Sequence, residues 1–436
     1  MNSELALYGA EPAVPKGMVK PWPEIRREDV EAVLRMLEGG YIRRGGPASK
    51  ELERAWADYV GSKYCIVTNS GTAALHMGVA GVGAGPGDEV ITTPFSWTST
   101  ATCILHHNAI PVFADIDRYT FNISPKSIEE KITDHTKAII PVHLNGLPCD
   151  LDEIMTIARK HNLKVIEDAC QAHGATYKGK KVGSIGDVGC FSLSSNKNLS
   201  GGEGGLFVTD DAEVYRQAGR IWQFGEDRQE DGSRKYNAYG MGWMYCTTDT
   251  IAAFTLSQLK RLDWINDRIR ENCHYLSERL RKIKGLRVPP EFQDRKHVFW
   301  IYKILFCPEE LGLDLPPGYF REKVESALRA EGVEIGRSEF IIPDMTLFQQ
   351  KEGYGHGCPW SCHLYGKNIE YKAEDYPNAL WSVQRLTGVM GAKPPNGLEL
   401  MERYVEAFHK VFDNMNRLFA NSEDEVKKWK PGVLVS

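Results

Sequence analysis

The stretch Phe191-Ser192-Leu193-Ser194-Ser195-Asn196-Lys197-Asn198-Leu199-Ser200-Gly201-Gly202-Glu203-Gly204-Gly205 lies between two apolar runs, 188–193 and 205–209. Both runs read as strands, so a polar turn with a single lysine is held between buried segments. Burial strips water from an ammonium, lowers its pKa and frees the amine lone pair, which makes Lys197 a candidate nucleophile. Ordinary surface turns also carry lysines. Lys197 therefore needs partners elsewhere in the chain.

Upstream of this turn, apolar runs at 64–68, 89–93, 110–115, 138–142 and 164–167 alternate with helical stretches at 72–82, 97–106 and 151–161. A further helix is expected at 212–221. The alternation predicts an α/β fold, a mostly parallel seven-stranded sheet flanked by helices. Sites in such sheets open at the carboxyl ends of the strands.

Three divisions follow. Residues 1–40 read as an N-terminal arm and a helix at 28–37, with Val30, Val33, Leu34 and Leu37 on one face. The large domain is expected over 41–266. It opens with a helix at 48–60 that buries Leu52, Ala55, Trp56 and Tyr59. It also holds a long loop at 222–246 and a helix at 248–265, with Ile251, Phe254, Leu259 and Leu262 as the buried stripe. A smaller C-terminal α+β domain is expected over 267–436. Its helices fall at 268–284, 321–331 and 399–419, its strand at 298–306, and its tail after Ala420 is charged and loose.

Composition narrows the function. The chain has 436 residues, 42% of them hydrophobic and 25% charged, with a net charge of −5, which is the balance of a globular protein. That balance offers no basic patch for nucleic acid and no apolar run of membrane-spanning length. With no signal-peptide pattern after Met1, a cytoplasmic location is expected. The ten cysteines are scattered, several in apolar strings, and read as small buried hydrophobes. His356, Cys358, Cys362 and His363 cluster, but the cysteines stand four apart with no second pair, so no metal site is expected.

Four loops at strand ends carry chemistry. Asn69-Ser70-Gly71-Thr72 precedes a helix, where free N–H groups and the helix dipole suit a phosphate; a plain N-cap is the alternative. No Walker lysine follows. Trp97, in Pro94-Phe95-Ser96-Trp97-Thr98, is either core or an aromatic plate for a planar ligand. Asp168 ends a strand and faces away from Glu167, where it could hold a pyridinium nitrogen or cap a helix. Gln171 could reach a phenolic oxygen. Ser192 and Ser194 stand just ahead of Lys197. A phosphate cradle, an aromatic plate, a pyridinium partner and a Schiff-base lysine together point to pyridoxal 5′-phosphate.

These residues resemble the DegT/DnrJ/StrS family of sugar aminotransferases, which are fold-type I pyridoxal-phosphate enzymes. The resemblance rests on Asn-Ser-Gly-Thr-Ala-Ala-Leu at 69–75, Gly-Pro-Gly-Asp-Glu-Val-Ile at 85–91, and Pro-Val-Phe-Ala-Asp-Ile-Asp at 111–117. It continues through Pro-Val-His-Leu-Asn-Gly at 141–146, Glu-Asp-Ala-Cys-Gln-Ala-His-Gly at 167–174, and Lys-Asn-Leu-Ser-Gly-Gly-Glu-Gly-Gly at 197–205. It implies that Lys197, rather than Lys180 or Lys181, bonds the cofactor and that Asp168 keeps its ring nitrogen protonated. Gln171 would lie at the 3-hydroxyl, Ser70, Gly71, Thr72 and Ser192 at the phosphate, and Trp97 against the ring. The implied reaction moves an amino group from glutamate or glutamine to a keto sugar, often nucleotide-linked, or to a keto cyclitol, through pyridoxamine phosphate. A homodimer with shared sites is implied too.

One departure stands out. Gly242-Trp243-Met244-Tyr245-Cys246-Thr247 replaces the family's Gly-Tyr-Asn-Tyr-Arg-Met, so Met244 stands where an asparagine reaches the partner chain's cofactor; either another loop residue takes over, Asn237 being the nearest, or the phosphate is bound with one contact fewer. Two other readings within the resemblance are a pyridoxamine-dependent keto-sugar dehydratase, which would carry histidine in place of Lys197, and a non-catalytic regulator. A dinucleotide-dependent oxidoreductase would need its glycine fingerprint before a helix, whereas Gly81-Val82-Gly83-Ala84-Gly85 precedes a strand. The substrate pocket is expected to draw on 41–46, 222–246 and 337–367.

Overall fold

Six of the seven strands of the main sheet run parallel, and the one that follows the lysine turn runs the other way. They are β1 (Tyr64–Thr68), β2 (Glu89–Thr92), β3 (Ile110–Phe113), β4 (Thr136–Ile140), β5 (Lys164–Asp168), β6 (Val188–Ser192) and β7 (Gly205–Thr209). Their order is β1-β7-β6-β5-β4-β2-β3. β7 pairs antiparallel with β1 and β6, while the other neighbours are parallel. The computed structural model describes residues 4–40, 42–229, 233–336 and 340–430.

Helices α1 (Arg27–Glu38), α2 (Pro47–Val60), α3 (Gly71–Gly81), α4 (Ser99–His106), α5 (Pro125–Lys131), α6 (Leu151–Lys160) and α7 (Ala212–Trp222) surround the sheet. The strands are short because each is a four- or five-residue apolar run covered on both faces, as parallel sheets require. α3 is buried all round: every residue from Ala73 to Gly81 is buried. Gly78 lets it approach closely, since a Cβ there would lie 3.0 Å from Ile166 Cγ2.

Two expectations are corrected, the single helix at 248–265 and the loose tail. The run 248–265 is not one helix but the end of α8 (Asp249–Leu259) and the start of α9 (Leu262–Leu280). The buried face of α8 is Ala252, Ala253, Thr255, Ser257 and Gln258, small or polar residues that let it pack closely on α1 and α2, while Ile251 and Phe254 are half-buried. α9 runs across the position where the two domains were expected to divide. The tail after Ala420 is not loose as far as it is described: Ser422–Lys428 is helical, Tyr319 donates to Glu425 at 2.6 Å, and Trp429 donates to Glu322 at 2.9 Å.

The C-terminal part carries a four-stranded antiparallel sheet of β8 (Leu286–Arg287), β9 (Tyr302–Phe306), β10 (Ile335–Gly336) and β11 (Leu386–Val389), ordered β8-β9-β11-β10. Its core includes Phe306, Phe320, Tyr404 and Phe408. The N-terminal arm is docked there, with Leu5 and Val14 in the same core. The Glu331 carboxylate accepts from the backbone of Ala6 at 2.8 Å and of Ala13 at 3.0 Å. On α1 the expected apolar stripe is uncovered, with Val30, Leu34 and Leu37 about half exposed. Among the described residues no helix is long and apolar enough to cross a membrane.

Candidate active site

β1, β5 and β6 all end, and β7 begins, at one rim of the sheet. Thr68 and Ser192 both lie opposite Gly205. A Cβ at Gly205 would fall 2.3 Å from the Ser70 carbonyl oxygen, so only glycine lets these loops cross. At Gly71 a Cβ would meet Ser192 Cβ at 2.8 Å and Cys170 Sγ at 3.0 Å. The first loop is thus pressed onto the other two, with the N-terminus of α3 facing the rim. Ser70 caps α3, its hydroxyl accepting from Ala73 N at 3.1 Å. Thr72 Oγ1 lies 2.8 Å from Ser99 Oγ. The remaining first-turn N–H groups have no partner within the helix, which leaves an anion cradle as well as a cap.

Lys197 is half-buried in the turn beyond β6, and burial pushes its ammonium down to about 8 against the opposing pull of Cys170, Asp168 and Glu203. Its Nζ lies 3.6 Å from the centre of the Trp300 ring. The turn is pinned from outside: Trp22 Nε1 donates to the Lys197 carbonyl at 3.0 Å, and Trp300 Nε1 to the Asn196 carbonyl at 2.8 Å. The Lys393 ammonium also donates to the Asn196 carbonyl. Lys181, by contrast, points to Tyr59 and Asp263, away from the rim.

Asp168 is buried at the end of β5. Thr100 Oγ1 donates to its Oδ2 at 2.8 Å, and the Cys170 backbone N–H donates to Oδ1 at 3.2 Å. Ser96 Oγ stands 3.0 Å behind Thr100 Oγ1. The preceding residue faces the other way, as strand alternation requires. Glu167 is fully buried, and burial alone would push its carboxyl up. His143 at 2.9 Å and the backbone N–H groups of Gly183, Ile185 and Gly186 hold it below the usual range. Gln171 is buried as well, and its Oε1 accepts from Asn145 N at 2.7 Å. Its NH2 end is left to donate.

Trp97 is two-thirds exposed, with its ring edge toward Phe340 at 6.2 Å between centres. Sequence reasoning did not find Thr100, Trp22, Trp300 or Lys393. Trp300 fell inside a run read as strand 298–306, but β9 starts at Tyr302, and 298–300 instead pairs with Asn145 and Gly146. Around the departure at 242–247, Arg44 Nη1 lies 3.2 Å from Met244 Sδ and 3.8 Å from Cys246 Sγ. A guanidinium from another loop therefore occupies the neighbourhood of the replaced arginine. Asn237 is exposed on the same loop. Of the expected substrate-pocket segments, Tyr41, 230–232 and 337–339 lie outside the described residues. Arg44, Gln223, Glu226 and Arg234 do line one cavity, of about 340 Å³. Within 356–363, Trp360 is buried, its indole donating to Tyr371 at 2.9 Å, while His356 and His363 are exposed. Among the described residues no cluster of three or more metal-ligating side chains occurs.

A buried carboxylate, a half-buried amine of lowered pKa, a free amide NH2 and a tight anion cradle suit pyridoxal phosphate in donor set and in placement. The family model for DegT/DnrJ/EryC1/StrS aminotransferases matches residues 23–371. The chain belongs to this family. Its cofactor is pyridoxal 5′-phosphate, and it is an aminotransferase of fold type I. A putative L-glutamine:3-amino-2,3-dideoxy-scyllo-inosose aminotransferase of Micromonospora echinospora is 32% identical over 436 residues, covering 96% of this chain and 99% of the relative. The GDP-perosamine synthase of Caulobacter vibrioides is 38% identical over 72% of this chain and 81% of its own length. The crystal structure of an aminotransferase from Psychrobacter cryohalolentis superposes with a TM-score of 0.80 at 28% identity, covering 91% of this chain and all of that one.

Proposed function

We propose that this DegT-family enzyme transfers an amino group from L-glutamine or L-glutamate to a keto cyclitol or keto sugar, with Lys197 as the proton carrier. The reading is carried by one observation: Lys197, in the turn beyond β6 on the rim shared by the α3 cradle and Asp168, has an amine that burial brings down to about 8. Close to neutral pH such an amine exists in both protonation states, as an acid–base catalyst must. The Micromonospora relative, similar over nearly its whole length, supports L-glutamine as donor and a cyclitol as acceptor.

When bound, pyridoxal phosphate supplies an electron sink for the carbon that loses its proton. The chain's residues do the rest. Asp168, held by Thr100 and the Cys170 N–H, keeps a proton on the ring nitrogen. Gln171 donates to the phenolic oxygen through the NH2 that Asn145 leaves free. Ser70, Gly71, Thr72 and Ser192 hold the phosphate, and Trp97 covers the ring. Lys197 would take the proton from the donor's Cα and deliver it to the cofactor's C4′, two bonds away. The uncovered stripe of Val30, Leu34 and Leu37 supports a homodimer, since half-exposed apolar side chains along one helix face suit burial against a second copy.

The test is Lys197→Ala with the cofactor added back. The wild type is expected to show the visible band of lysine-bound cofactor and to aminate members of a keto-cyclitol and keto-sugar panel from L-glutamine or L-glutamate. The variant should lose both. Full turnover by Lys197→Ala would overturn the assignment.

A further inference from the structure

Beside the lysine turn lies a cavity of about 240 Å³ that the assignments above leave unused. Its walls include four separate parts of the chain: the arm at Lys20 and Trp22, the turn at Ser195 and Asn196, the segment at Trp300, and the segment around Lys393. The walls are fastened together. Lys20 N donates to Asn396 Oδ1 at 2.8 Å, and Asn396 Nδ2 donates back to the Lys20 carbonyl at 3.0 Å.

The charge on these walls is unbalanced. Lys393 is half-buried, its ammonium lies 5.2 Å from the Trp22 ring centre, and its polar contact is the Asn196 carbonyl. Among the described residues no carboxylate pairs with it, and the one acidic residue lining the cavity, Glu334, is exposed. Burial and the neighbouring Lys197 both disfavour its charge. An ammonium in that position is stabilised by an arriving anion.

We propose that this cavity takes the carboxylate of the amino-acid donor, with Lys393 as the residue that binds it. The inference rests on the transaminase reading and names how that reaction recognises its donor. Two observations favour an amino acid over the diphosphate of a nucleotide-linked sugar. The cavity is smaller than the roughly 300 Å³ at which pockets for larger ligands begin. It also adjoins Asn196, one peptide from Lys197, and an α-carboxylate is one bond from the carbon that Lys197 must reach.

The probe is glutarate, a dicarboxylate with no amine to react, titrated calorimetrically into the cofactor-loaded enzyme. Lys393→Met is expected to weaken glutarate binding about 10- to 100-fold, the worth of a charge-assisted hydrogen bond, and Lys393→Arg to retain it within a few-fold. The rate constant for the half-reaction with L-glutamine should fall by a similar factor in Lys393→Met. Because Lys393 also pins the lysine turn, the rate with 4-aminobutanamide, which lacks the α-carboxylate, should fall too but by several-fold less than the rate with L-glutamine, and an equal fall with both amines overturns the proposal. Lys393→Gln, which keeps a donor toward Asn196, serves if the methionine variant does not fold. Unchanged glutarate affinity in Lys393→Met or Lys393→Gln, or a Lys393-dependence seen for uridine diphosphate and not for glutarate, overturns the proposal. If the wild type reacts with no amine donor, the transaminase reading fails, while glutarate titration still decides the site.

Discussion

The Lys197 ammonium lies 3.6 Å from the centre of the Trp300 ring, although the two residues belong to different parts of the fold. The lysine sits in the turn of the main sheet, and the tryptophan lies just before the first long strand of the C-terminal sheet. Two opposing effects meet there. Burial favours the neutral amine, whereas the face of an indole attracts the cation by about 0.5–2 kcal/mol. The indole N–H is spent on the Asn196 carbonyl, which fixes the ring's position over the amine.

Replacing Trp300 by leucine keeps the site dry and removes the ring. The ammonium then loses its attraction and keeps its burial cost, so the lysine pKa should fall further below about 8. Loss of about 1 kcal/mol corresponds to somewhat less than one pH unit. The pH dependence of the rate at which cofactor-free protein develops the visible band measures this, and a midpoint that rises or stays fixed would count against the ring's role.

Asp168 depends on a hydroxyl that its own loop does not supply. Thr100→Val removes the donor at Oδ2 and conserves shape, leaving a buried carboxylate with the Cys170 N–H. An unmade hydrogen bond to a buried charged group costs about 1.5–3 kcal/mol. Turnover should fall by one to two orders of magnitude, and cofactor affinity, which rests mainly on the phosphate cradle, should change little. A variant with wild-type turnover would show that Thr100 is dispensable to Asp168.

Two fully buried histidines predict the acid limit of stability. Burial, with His107 near one and Lys197 near the other, pushes His76 and His173 down to about 3. Unfolded, each titrates near about 6.5. Between those values the unfolded chain binds more protons, so stability rises with pH across that window and is fully present above it. The slope is up to about 1.4 kcal/mol per pH unit for each histidine. Urea unfolding from pH 4.5 to 8 measures it, and His76→Gln should remove only part of the slope, since burial also pushes His297 down to about 3 and lowers His106 and His107. Equal stability at pH 5 and pH 7.5 would refute the account.

The main sheet was legible because its strands are apolar runs too short for helices, bounded by turn residues. Tyr64–Thr68 and Gly205–Thr209 were read to the residue. Reading failed where local pattern and tertiary packing diverge. The apolar period of Ile251, Phe254, Leu259 and Leu262 crosses the break between α8 and α9 at Lys260 and Arg261, which carries no glycine or proline to announce it. The stripe on α1 is regular and half exposed, because periodicity reports an apolar face and not what covers it. At the site, Lys197, Asp168, Gln171 and the α3 loop follow strands of one sheet and could be placed by order alone. Trp22, Trp300 and Lys393 reach the lysine turn from 100 to 200 residues away along the chain, and no spacing rule connects them.

Gly71 decides whether the cradle can form. Its φ lies in the helical range, so alanine is tolerated by the backbone, and the objection to a side chain is purely one of space. A Cβ would stand 2.8 Å from Ser192 Cβ and 3.1 Å from Ser192 Cα, atoms fixed by the β6–β7 pairing rather than by a flexible side chain. Either the α3 loop lifts or the Ser192 turn withdraws, and both movements pull the two halves of the phosphate site apart. Gly71→Ala should therefore bind pyridoxal phosphate at least ten-fold more weakly, as expected for loss of a charge-assisted contact of about 1.5–3 kcal/mol. Since alanine favours the helix by up to about 1 kcal/mol over glycine, the cofactor-free variant should unfold within a few degrees of the wild type. Fluorescence titration with cofactor, set beside thermal unfolding without it, separates these effects. Weaker binding together with a collapsed melting temperature would instead mean that Gly71 serves the packing of α3 and not the cradle.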